Sequence, residues 1–213
     1  FLPSAQNQKE SSHVSILPHL REGLVHILQK KEILIYFVLA ISVYTPLCVL
    51  SDLWGTTFLM EKFSLVRADA AQINLYTYGG LTVGSLILPW LSLKWGMLKE
   101  TILFCAIGIV VALLVLLYAQ ELSLWQLTFL LTSIGIFCGA EMICVAGALQ
   151  FSVPATSGLT LGVVNTLNML GGAFIQQIIG WYLDAHWQGK YGSDGARYYG
   201  QEELSSSFFI LVF

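Results

Sequence analysis

"TILFCAIGIVVALLVLLYAQ", residues 101–120, decides the fold class. It carries no charge and, after Thr101, almost no polar side chain. A helix rises about 1.5 Å per residue and bilayer hydrocarbon is about 30 Å thick, so a helix of this length crosses it. Backbone N–H and C=O groups find no water there, and a continuous apolar run satisfies them only as a helix. The run predicts a transmembrane helix that can face lipid nearly all round.

Similar runs lie on both sides. Residues 33–51 are uncharged, with a helix that can continue past Asp52 towards Met60. Residues 70–93, 122–148 and 158–183 follow the same pattern, and 204–213 begin a sixth run. The whole chain is 56% hydrophobic and only 11% charged, against about 25% charged in soluble domains. The expectation is an all-α, multi-pass membrane protein with the lipid bilayer as its solvent. A net charge of -3 supplies no footprint for nucleic acid. Cys48, Cys105, Cys138 and Cys144 sit in apolar runs without metal-ligand spacing, and are expected as buried free thiols.

The first 31 residues differ. "VSILPHLREGLVHILQK", residues 14–30, alternates apolar and charged positions at helical spacing. It predicts an amphipathic helix on the membrane surface, behind a short polar linker without a secretory signal pattern. His13, His19 and His26 do not share one helix face, which argues against a metal site. The chain opens on Phe1 and ends within "SSSFFILVF", so it is expected to be a piece of a longer protein with its last helix cut short. With the linker inside, Lys9, Arg21, Lys30, Lys31, Lys94 and Lys99 are cytoplasmic, and Lys62, Arg67, Lys190 and Arg197 lie outside. That bias agrees with the positive-inside rule.

Polar groups within the runs locate the bundle interior. Asn165, Asn168, Gly172 and Gln176 step by three, four and four, which reads as one helix face. Amides in hydrocarbon need partners, so this face either lines a watery cavity or glues helices together. Gly158, Gly162, Gly171 and Gly172 are expected where neighbouring backbones approach. In the first run Tyr44, Pro46 and Asp52 draw notice: Pro46 removes a backbone donor, and broken helices at membrane depth border binding sites. Asp52 lies about 28 Å along the helix from Ile33 at ~1.5 Å per residue, a depth that also suits an ordinary interfacial carboxylate. Glu141 is the only charged residue between Glu121 and Asp184. A carboxyl this deep faces the bundle interior, either as a titrating or gating group or as part of a fixed structural pair. No His lies in any run and no G-x-S-x-G motif occurs, so the residues argue against an enzyme.

In this topology the chain resembles the C-terminal half of a major facilitator superfamily transporter, close to its sugar-phosphate permease-like members. The polar linker and amphipathic helix before six apolar segments carry the first part of the resemblance. "PWLSLKWGMLKE", residues 89–100, is similar to the family's signature loop, with Lys94 and Gly96 matching; Pro89, Leu93 and Met97 depart from it, and an Asp-based gating switch is in doubt. "GLTLGVVNTLNMLGGAFIQQIIGWYLD", residues 158–184, resembles the eleventh helix of the family. "LSDLWGTTFLMEKFSLVRADAAQ", residues 50–72, looks like the seventh-to-eighth segment of the sugar-phosphate permeases. The resemblance implies residues 32–213 as helices 7–12, a 3+3 inverted repeat with its last helix incomplete. It implies a missing N-terminal six-helix half, alternating access, an inner (cytoplasmic) membrane and a small polar solute. Coupling to protons or to a second solute is implied, and no cofactor is called for. Tyr44, Asp52, Asn165, Asn168 and Gln176 are the candidate cavity contacts, and Glu141 is the candidate coupling or gating group. No Lys or Arg lies inside any run, so a strongly anionic solute would draw its cations from the other half. The alternative is a permease-like sensor that binds a solute without moving it.

Overall fold

The computed structural model describes residues 16–192 and 195–212. His13, Lys9 and the polar linker lie outside the described residues, as does the side chain of His19. Among the described residues there is no strand, only an isolated antiparallel bridge between Tyr191 and Arg197. Most of the rest is helical: α1 (Ile16–Gln29), α2 (Lys31–Leu47), a π-helical segment (Cys48–Trp54), α3 (Gly55–Phe63), α4 (Arg67–Trp95), α5 (Leu98–Tyr118), α6 (Leu124–Cys138), α7 (Glu141–Gln150), a 3-10 turn (Pro154–Thr156), α8 (Ser157–Ala185) and α9 (Gln201–Phe208).

Four of these stretches are long and apolar enough to cross a membrane, the mark of a membrane protein: Lys31–Phe63, Leu98–Tyr118, Leu124–Gln150 and Pro154–Ala185. The α4 helix has the length, 29 residues, but not the hydropathy. Gln72, Asn74, Thr77, Ser85 and Ser92 dilute its apolar content, so the span expected over residues 70–93 is less apolar than the other four. Only α9, eight residues long, and a 3-10 turn to Leu211 represent the sixth run.

Helices α4 and α6 pack backbone to backbone. Gly80 and Gly84 on α4 meet Gly135 and Gly139 at the end of α6, each pair four residues apart and so on one face. A Cβ at Gly135 would lie 1.9 Å from the Thr77 carbonyl oxygen, and one at Gly84 would lie 2.1 Å from that of Ile136. Small-xxx-small pairs of this kind let helices approach where no hydrophobic effect drives them together. The glycines expected in this role fare unevenly. Gly171 and Gly172 do press on Ile41 and Cys48, but Gly158 and Gly162 have nothing within 4 Å.

The α5 helix also departs from expectation. Cys105, Ile109, Leu113 and Leu116 recur at helical spacing and are buried, while Phe104, Ile107, Val111 and Val115 face outward. An all-apolar run shows no pattern by which to tell its packed face from its lipid face. Lys62 of α3, also buried, donates to the Leu117 carbonyl and satisfies one of α5's last acceptors. The α1 helix rests on the start of α8, where Gly23 adjoins Leu159 and Thr156.

At the α4–α5 turn, Gly96 takes φ +66° and caps α4, with N–H bonds from Gly96 to Leu93 and from Met97 to Ser92 at 3.3 and 3.0 Å. Glycine is the residue that adopts this left-handed cap without strain. Lys94 lies over the Trp90 ring at 5.0 Å. Gly96 therefore acts as a helix stop. At the other end, Arg197 pairs with Asp184 at 2.6 Å and Tyr199 donates to the same carboxylate oxygen. Tyr198 donates to Glu61, and its own ionisation is pushed up by that acceptor. The long connector is thereby tied to α8 and α3.

Candidate functional site

The first span is not one uniform helix. Pro46 has no N–H, and two residues later the ladder changes register from α to π over Cys48–Trp54. Gly55 closes the segment with its N–H on the Leu50 carbonyl. A Cβ there would sit 2.0 Å from that oxygen, so the position requires glycine. Neighbouring helices reach the π segment's carbonyls: Gln176 of α8 donates its side-chain amide to the Cys48 oxygen at 2.9 Å, and Asn74 of α4 donates to the Ser51 oxygen at 3.2 Å. Single π turns inside α-helices are frequent at functional sites.

Tyr44, Cys48 and Asp52 follow at intervals of four along this span. Tyr78 of α4 donates its hydroxyl to Asp52. Asp52 is exposed, and the helix runs on past it through α3, as expected, to Phe63. Tyr44 is half-buried, and Tyr78 is not among the cavity contacts expected from the sequence.

Glu141 opens α7. The fourth run is interrupted by a turn at Gly139–Ala140, where Gly139 presses against the Gly84 and Ser85 backbone. The chain therefore restarts its helix on Glu141. The carboxyl is buried, and it accepts a hydrogen bond from the Nδ2 of Asn168, itself 1% exposed. Asn168 Oδ1 is buried without a partner. No basic side chain among the described residues pairs with the carboxyl.

The polar stripe of α8 divides. Asn168 meets Glu141, Gly172 lies against Cys48, and Gln176 reaches the π segment. Asn165 is exposed. At ~100° per residue all four lie within about 80° of one another around the axis, so Asn165 shares the face of the other three and is left uncovered on it. The α8 span is also the least enclosed of the four, with 22% of its apolar window buried against 56% for Lys31–Phe63.

Together the structure joins Tyr44, Asp52, Tyr78, Gln176, Asn168 and Glu141 around one irregular helix. All four cysteines are free and buried. No family model matches the chain, and no curated protein shows significant similarity to it.

Proposed function

We propose that this chain is the C-terminal half of a secondary active transporter of the major facilitator type, moving a small polar solute across the cytoplasmic membrane by alternating access. The observation that carries the reading is the π-helical break within a membrane-length helix, held from both sides by amides of α4 and α8. π turns set within α-helical spans are frequent at functional sites, and here side-chain amides from two other helices meet the carbonyls of one. The resemblance to the superfamily supplies the frame of two six-helix halves. The open face of α8, with Asn165, then turns towards the N-terminal half, and Tyr44, Asp52 and Gln176 sit beside the cavity. Glu141 is the coupling or gating group, with protons or a second solute as its partner. In this half the acidic side chains at the site are not matched by basic ones, which favours a neutral or cationic solute over an anion.

Metabolite uptake by cells expressing the full-length protein, read by mass spectrometry, tests the proposal. Accumulation of one solute class that Asp52→Asn or Gln176→Leu weakens at equal membrane levels supports it. Saturable binding without accumulation would instead establish a permease-like sensor.

A further inference from the structure

Asn168 is buried with only half of its side-chain amide satisfied. Its Nδ2 donates to Glu141 Oε1, while its Oδ1 is buried and has no donor. An ionised Glu141 has only acceptors to offer. It would satisfy the Nδ2 and leave the Oδ1 bare, and it would bury a charge with no cation against it. Reversing the amide merely exchanges the unsatisfied atom. A protonated carboxyl meets both needs, because its carbonyl accepts from Nδ2 while its O–H donates to Oδ1.

We propose that Glu141 is a proton-binding site, occupied in this conformation, whose neutral carboxyl closes a two-hydrogen-bond ring with the Asn168 amide and ties α7 to α8. This deepens the coupling role given to Glu141 above, and its test does not depend on transport. The titratable groups facing the carboxyl are Tyr44 of α2, Cys48 of the π segment, Cys138 of α6 and Cys144 on its own helix. Helix α5 brings Cys105 to Cys138 and Cys144, and α8 brings Asn168. None of these is a cation at neutral pH. Loss of the proton breaks one of the two bonds that join α7 to the middle of α8. Gln176, two turns further on, still holds α8 to the π segment. The proton therefore sets how firmly α8 is held at its centre.

Infrared spectroscopy of the full-length protein in bilayer nanodiscs at neutral pH reads the proton directly. The expected result is a protonated-carboxyl C=O band that is absent from Glu141→Gln and moves to higher frequency in Asn168→Leu, where the acid has lost its amide. Asn168→Ser, too short to close the ring, serves if the leucine variant does not fold. Absence of the band from folded wild-type protein overturns the proposal. A band that Asn168 variants leave unmoved overturns the ring. Since uptake is not read, a protein that moves no solute can still show the band, and a competent transporter can lack it.

Discussion

Replacing Gly135 with alanine tests the α4–α6 seam. The new Cβ would lie 1.9 Å from the Thr77 carbonyl oxygen and 2.9 Å from the Leu81 nitrogen. Non-bonded contact needs about 3.5 Å, so the helices must part locally by about 1.6 Å. The obstructing atoms are backbone, and no rotamer change relieves them. Overpacking of this kind costs roughly 1–3 kcal/mol, and a rigid backbone contact places the cost near 2–3 kcal/mol. At ~2–4 °C per kcal/mol for a chain of this size, thermal unfolding in detergent should fall by about 4–12 °C. Gly84→Ala, with its Cβ 2.1 Å from the Ile136 oxygen, should match it. The double variant should cost less than the sum, because one opening of the seam relieves both clashes. Gly162→Ala is the control, since nothing lies within 4 Å of its Cβ. There the substitution gains helix propensity, up to ~1 kcal/mol. Equal melting of Gly135→Ala and Gly162→Ala would refute the close approach of α4 and α6.

Other substitutions address the π segment and the spans. Gly55→Ala, whose Cβ would strike the Leu50 oxygen at 2.0 Å, should destabilise the protein by ~1–3 kcal/mol in the same melt; no loss would mean that the segment can revert to α register. Gln176→Leu and Asn74→Leu each strip a donor from a π-segment carbonyl, and each should cost ~1–3 kcal/mol. Single cysteines at Lys99 and Lys190 in a cysteine-free background are separated by three membrane-length helices, so an impermeant thiol reagent should label them from opposite sides. Labelling from one side would remove a span.

Hydropathy made the helices legible, because a bilayer demands one simple property over some twenty residues. It could not show which face of α5 packs, since every side chain there is apolar. The α4–α6 seam was written as Gly80 and Gly84 against Gly135 and Gly139, at the right spacing. Recognising it required knowing that two helices separated by α5 are neighbours. The same limit applied to the site. Glu141 stood out as a lone charge, whereas its bond to Asn168 depends on the turn at Gly139–Ala140 that restarts the helix. Pro46 marked a defect in the first span, but proline removes one donor without specifying a π register. Gly55, which that register requires, is recognisable only once Leu50 is seen to fall five residues behind it.

These features share one mechanical logic. Gly84 touches the turn residue Gly139, Glu141 follows two residues later, Asn168 holds Glu141, and Gln176 on the same helix holds the π segment. The two irregular spans are thus connected through α8 by side-chain amides, with a backbone contact on α4 as the fulcrum. Such a chain transmits only if its links are stiff. Gly139→Ala, whose Cβ would meet the Gly84 carbonyl carbon at 2.4 Å, should displace the turn and with it Glu141. Its infrared signature should therefore shift even though neither partner of the hydrogen bond is altered. A Gly139→Ala protein that melts lower yet keeps the wild-type carboxyl band would show that the seam stabilises the bundle without positioning the acid.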